Sequence, residues 1–235
     1  MGDHRAAVPF LPGCRYGAAD ALPARRSAMT VDETPPDTGF LRPAGPSPGA
    51  ERLFAEDRRD VGYVMNLSHV WAHQPDAHDA FMDLLGQASA AAGLSFRQRA
   101  VLVAASAGAL GDPHCSLAWG KRLAEEVGDD VAAAVLRGED GGLTAADAAL
   151  ARWARRLARD PNGTTPRDVQ QLRDCGLDDA QIAAMTLYVA LRIAFSTVND
   201  ALGARPDRRL VEAAPAAVHS AVSYGRPTAA GDSQA

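Results

Sequence analysis

The stretch Gly111-Asp112-Pro113-His114-Cys115-Ser116-Leu117-Ala118-Trp119-Gly120 sets a carboxylate, an imidazole and a thiol almost side by side. Asp112 suits a helix N-cap and Pro113 a first helical position, which places His114 and Cys115 in a first turn. Unpaired backbone N–H groups and the helix dipole favour an anion there, so they favour a Cys115 thiolate. The help is small: a helix terminus contributes roughly 0.3–1 kcal/mol, under one pKa unit. Asp112 opposes it, because a carboxylate beside a thiol raises the thiol pKa. A reactive Cys115 therefore needs a further partner, and His114 is the nearest in sequence. Each residue also has a plainer role: Asp112 as a cap, His114 as a solvent-facing residue, Cys115 as a small buried hydrophobe. Trp119 lies four residues after Cys115 on the same helical face, as a pocket wall, a stacking surface for a planar substrate, or core filling.

A second polar and aromatic group lies upstream: Tyr63, Asn66, His69, Trp71, His73 and His78. With Trp119, the residues Tyr63, Asn66 and His69 are the candidates for lining a substrate site. His69 and His73 are spaced i,i+4, which would put two imidazoles on one face. Neither an HExxH context nor a carboxylate pair accompanies them, so no metal site is expected. Arg152, Arg155, Arg156 and Arg159 read as a solvated helix face. The three cysteines, Cys14, Cys115 and Cys175, form no CxxC pair and no disulfide framework. Cys175, just before Gly176, reads as a helix-end residue, a distant resolving thiol only if the fold brings it to Cys115.

The elements that must position these groups are helices. Ser95 with Gln98 forms a capping box ahead of Val101, Leu102 and Ala105, and Thr144 with Asp147 repeats it ahead of Leu150 and Trp153. Thr165, Pro166 and Asp168 open another helix, and Asp178 with Gln181 opens the long run from Ile182 to Leu202. Gly93, Gly128, Gly141-Gly142, Asn162-Gly163 and Gly176 are the stops. No segment alternates with period two between turn signals, so the spacing predicts an all-α fold.

Hydrophobic residues make up 47% of the 235 and aromatics only 6%, so alanine and leucine must fill the core, and both favour helix. Eight of the fifteen prolines fall between Pro9 and Pro48. Residues 1–49 therefore read as a disordered or draped arm, 50–223 as one helical domain, and 224–235 as a disordered tail. No run reaches the ~18 apolar residues of a membrane span, and the proline-broken start lacks a signal-peptide core. A cytoplasmic protein with no membrane partner is the expectation. The net charge of -5 argues against a nucleic-acid partner, and arginine dominance (Lys121 is the one lysine) reflects composition bias.

The segment GLSFRQRAVLVAASAGALGDPHCSLAWGKRLAEEVG resembles the core of the carboxymuconolactone decarboxylase and alkylhydroperoxidase D-like family. DVGYVMNLSHVWAHQPDAHDAFMDLL looks like the family's opening helices, and DPNGTTPRDVQQLRDCGLDDAQIAAMTLYVALRIAFSTVNDALG is similar to its C-terminal hairpin, so the likeness spans roughly Asp60 to Gly203. The resemblance implies an alkylhydroperoxidase D-like helical bundle and a homo-oligomer, often a trimer or a multiple of one. It implies that Cys115 matches the peroxide-attacking cysteine of the redox members and His114 a relay histidine. Their resolving cysteine, relay glutamate and later histidine are matched by Asp112, Ala100 and Trp119. That pattern removes the internal disulfide, while Gly111-Asp112-Pro113 is similar to a G-x-P turn of the decarboxylase branch.

Three functions follow, none with a cofactor. A one-cysteine thiol enzyme would reduce small hydroperoxides with Cys115 and His114, regenerated by an external thiol reductant. A lyase or isomerase would act on a small organic acid or lactone through Asp112, His114 and Cys115. A non-catalytic oligomer would bind a small molecule in the same pocket.

Overall fold

The computed structural model describes residues 39–228; the expectations for residues 1–38 and 229–235 lie outside the described residues. The described residues form eleven α-helices and one short 3-10 turn, with no strand among them. In chain order the helices are α1 (Pro48–Asp60), α2 (Asn66–Trp71), α3 (Pro75–Ala91), α4 (Phe96–Leu110), α5 (Pro113–Val127) and α6 (Asp129–Leu136). They continue as α7 (Ala145–Arg159), α8 (Pro166–Asp174), α9 (Asp179–Ala201), α10 (Arg208–Ala213) and α11 (Ala216–Ala221). The start signals work as local chemistry. Both halves of the capping box form at Ser95 and Gln98, at Thr165 and Asp168, and at Asp178 and Gln181. The Thr144 side chain accepts from the Asp147 backbone N–H.

Helix α4 is the axis of the bundle. Every residue from Ala100 to Ala107 is buried, on all sides of the helix. A helix that is apolar all round can only be covered all round. Helices α5, α6, α7 and α9 supply the cover, α3 and α8 pack on α9, and α10 and α11 close over α5. Small residues make these approaches close. A Cβ on Gly108 would stand 2.5 Å from the Leu136 carbonyl oxygen.

A smaller cluster adjoins this core where α1, α2, the end of α4, the start of α5 and the end of α9 meet. It comprises Leu53, Leu67, Val70, Trp71, Ala107, Cys115, Phe195 and Ala204. The thiol therefore sits between helix ends, the usual place for a small-molecule site in a bundle. Helix α9 is, by length and composition, long and apolar enough to cross a membrane. It serves here as a core helix, packed on α3, α4, α7 and α8 and carrying Arg192 in its buried face.

The contact at Gly108 gives a stability test. A mid-helix glycine-to-alanine change ordinarily gains up to about 1 kcal/mol of helix propensity. Here the added methyl meets backbone, which cannot rotate away, and such overpacking costs about 1–3 kcal/mol. Gly108→Ala is expected to lower stability by roughly 1–2 kcal/mol in urea unfolding; a stabilised variant would show that α4 and α6 are less closely packed.

Candidate functional site

Helix α4 ends at Gly111, whose φ of 78° lies in the left-handed region. The reversal brings Asp112 to the cap of α5, where its Oδ1 accepts the Cys115 backbone N–H at 2.9 Å. The N-cap role and the first-turn placement of His114 and Cys115 are as the sequence suggests. The depth is not: Asp112, Cys115 and Ser116 are at most 2% exposed. The chain's far end closes over this turn. Tyr224 donates its hydroxyl to Ser116 Oγ at 3.0 Å. Gly225 lies so near that a Cβ would stand 2.5 Å from Pro113 Cδ.

Burial decides the state of the thiol. It pushes the Cys115 pKa far above its ordinary value, and the charge of Asp112 adds to the rise. The Arg192 guanidinium works in the opposite direction, with Nη2 3.5 Å from the sulfur. Ser196 also favours the thiolate. The helix-terminus help that the sequence offers is outweighed by desolvation. Cys115 is protonated at neutral pH.

His114 is also held neutral, its pKa lowered to about 4 by burial, with Asp112 opposing and Arg192 and Arg122 assisting. Its Nδ1 is 3.7 Å from Asp207 Oδ2. Asp207 in turn accepts the Asn66 backbone N–H at 2.9 Å, and Asn66 Nδ2 donates to the Arg205 carbonyl. Asn66 thus ties the start of α2 to the Asp207 turn beside His114.

The other side of Cys115 is a stripe of α9. Tyr188, Arg192, Phe195, Ser196 and Asn199 are all buried and share one helical face. The Arg192 guanidinium lies 5.2 Å from the Trp119 ring and 5.3 Å from that of Phe195. Phe195 stacks on Trp71, whose Nε1 donates to Asn199 Oδ1 at 2.9 Å. Arg122 lies over the same Trp119 ring at 4.9 Å, and partial burial together with the charge of Arg192 lowers its pKa. Beyond Trp119, Phe96 and Arg122 form part of the wall of a cavity of about 430 Å³ that opens to solvent.

Of the sequence candidates, Asp112, Cys115 and Trp119 come together, with His114 beside them. Tyr63 lines the outer cavity instead, under the Arg209 guanidinium. His69 packs its ring on Phe54 and is kept neutral by burial and by Arg58. His73 is exposed and bonds to the Arg42 carbonyl oxygen, so the two imidazoles serve different neighbours. No group of three or more metal-ligating side chains occurs among the described residues. Cys175 caps the C-terminus of α8 and packs on the main core, in a different cluster from Cys115. Sequence reading missed Arg192, Ser196, Tyr188, Asp207 and Arg122. One signal was present: Arg192 is the sole charge in the apolar run between Asp179 and Asp200, and an isolated charge in such a run is costly unless it has work to do.

No family model and no curated protein sequence matches the chain. Solved structures do. An alkylhydroperoxidase D core, an uncharacterized peroxidase-related protein from Ralstonia eutropha, superposes with a TM-score of 0.59 over 68% of this chain and 86% of that one, at 20% identity. The debrominase Bmp8, as a cysteine-to-alanine variant in complex with 2,3,4-tribromopyrrole, gives 0.57 over 74% and 90%, at 15% identity. The chain has the alkylhydroperoxidase D-like helical fold.

The titration of His114 can be read from stability. Its folded pKa of about 4 lies below its value in the unfolded chain, so the unfolded chain binds the proton first as pH falls. The stability it supports is present above about pH 6.5 and is lost as pH falls toward 4. Asp200 acts oppositely: burial and Asp112 raise its pKa to about 7, against Arg226, so its contribution is lost as pH rises toward that value. Comparing the wild type with His114→Gln cancels the Asp200 contribution. The wild type is expected to lose up to about 3 kcal/mol more than the variant between pH 7 and 4 in urea unfolding; equal slopes would contradict a neutral His114.

Proposed function

We propose that the chain is an enzyme that moves protons on a small organic molecule, an isomerase or lyase acting at Asp112 and Cys115. The reading rests chiefly on one observation: the Cys115 thiol is buried in the turn capped by Asp112, whose Oδ1 accepts the Cys115 backbone N–H, and burial together with that carboxylate favours the protonated thiol. Such a pair can act as base and acid in one turnover. Asp112 takes a proton from a substrate carbon, and the thiol delivers its own proton to another. The resulting thiolate stands beside the Arg192 guanidinium. Transfer of the proton from Asp112 to the sulfur then restores both groups, and the net change is confined to the substrate. His114 stays neutral and adds no charge to the pair. Trp119 walls the site.

One observation favours a second reading, a one-cysteine peroxidase. The Arg192 contact would hold a thiolate once formed. The thiolate would attack the O–O bond, giving a sulfenic acid and an alcohol, and two equivalents of an external thiol would restore Cys115 with release of water and a disulfide. This route requires an ionised sulfur at the outset, which burial opposes.

Peroxide treatment at neutral pH in the presence of dimedone, followed by peptide mapping of Cys14, Cys115 and Cys175, separates the two. Proton-transfer chemistry expects Cys115 to remain essentially unlabelled in the folded protein. Rapid stoichiometric labelling there, absent in Cys115→Ala, would replace it with the peroxidase reading.

A further inference from the structure

The buried arginine is larger in consequence than its contact with the thiol. Arg192 is 8% exposed, and its Nε has no hydrogen-bond partner. Its Nη2 meets a sulfur rather than a carboxylate. Arg122 lies over the same indole, and Arg99 approaches from the Phe96 ring at 5.7 Å with a buried Nε that also lacks a partner. Among the described residues none of the three guanidinium groups forms an ion pair with a carboxylate, whereas Arg52, Arg97, Arg152, Arg155 and Arg173 each pair with an aspartate. Two like charges over one tryptophan repel each other, and burial together with Arg192 lowers the Arg122 pKa. A fold tolerates a buried, uncompensated cation where something else supplies the negative charge.

We propose that Arg192 and Arg122 form an oxyanion clamp, and that the molecule handled at Cys115 is a small planar carboxylate held with its ring plane against Trp119. The proposal rests on the acid–base reading of the site and names the substrate group that reading leaves open. Guanidinium is the donor of choice for a carboxylate, because its fork matches both oxygens. One further orphaned donor fits the same occupant, while the orphaned Asp112 Oδ2 is an acceptor on the proton-transfer side of the site. Asn199 Nδ2, one helical step beyond Ser196 on the stripe, is a buried donor without a partner. The approach is the outer cavity, where Arg122 and Phe96 stand in the wall next to Trp119. Lys121 and Arg209 add positive charge to that wall, against Asp60 and Glu125. The clamp is a set of positioning residues: it fixes where the carboxylate sits and leaves proton movement to Asp112 and Cys115.

Thermal unfolding with benzoate as the probe tests the clamp, with benzamide as the uncharged isostere and sodium chloride at matched ionic strength. Benzoate is expected to raise the wild-type Tm in a saturable manner, and benzamide and chloride are not. Arg192→Gln should weaken benzoate roughly thirtyfold or more, the cost of leaving a charged group without its partner. The same variant should unfold at a higher temperature than the wild type without ligand, since it removes a buried unpaired charge. Arg122→Gln, at the solvent-facing edge, carries the test if Arg192→Gln does not fold, and should also lose most of the benzoate shift. Equal shifts with benzoate and benzamide, no shift with benzoate, or a full benzoate shift in Arg122→Gln would overturn the clamp. These outcomes leave the thiol's labelling behaviour untouched, so the clamp and the acid–base reading fail separately.

Discussion

A guanidinium held out of water without a carboxylate beside it is the constraint around which this site is organised. Transfer of such a charge from water costs several kcal/mol even after relaxation. The fold offsets part of that with two aromatic faces, Trp119 and Phe195, and with the Cys115 sulfur. Cation–π contacts contribute about 0.5–2 kcal/mol each, which falls short of full compensation. Leucine at position 192 would satisfy the core better. The neighbours respond to the same charge: it lowers the Arg122 and His114 pKa values and is the main influence drawing the thiol back toward ionisation.

The charge is buried because of how the bundle is built. With α4 covered on all sides, the helices around it must converge, and its alanines and Gly108 leave little room between backbones. The turn from α4 into α5 then lies under the ends of other helices. Tyr224 and Gly225 lie over that turn, with one solvent-open cavity between them and Pro113 and another lined by Phe96 and Arg122. Burial and electrostatics thus come from one packing arrangement. Loosening the turn would hydrate the thiol and the imidazole together.

Much of this architecture is legible in the sequence, for a physical reason. Capping is decided within three residues, so Ser95 and Gln98, Thr165 and Asp168, and Asp178 and Gln181 announce their helices wherever the rest of the chain lies. The cap at Asp112 is legible in the same way. What surrounds Cys115 is not, because Arg192 is 77 residues away and Asp207 farther still. Only tertiary packing sets those distances. Arginine abundance also hid Arg192 among many surface charges, though its isolation within an apolar run distinguished it. For Cys115 the local cue pointed the wrong way. A helix start favours the thiolate by a fraction of a pKa unit, whereas burial, which the sequence offered only as the plainer alternative, opposes it by far more.

Fold and chemistry separate here as they do in other widely used scaffolds. At 20% and 15% identity the two solved neighbours establish the helical arrangement and nothing finer. The chemistry must come from what stands at each position, and this chain holds an unusual set. Asp112 occupies the cap three residues before the sole buried thiol among the described residues, and an arginine from α9 faces it. A second cysteine in place of Asp112 would favour disulfide chemistry, and a leucine in place of Arg192 would leave a plain hydrophobic core. On the acid–base reading proposed above, a carboxylate and a guanidinium flanking one neutral thiol would form a donor–acceptor relay, and such a relay moves protons without any change in oxidation state.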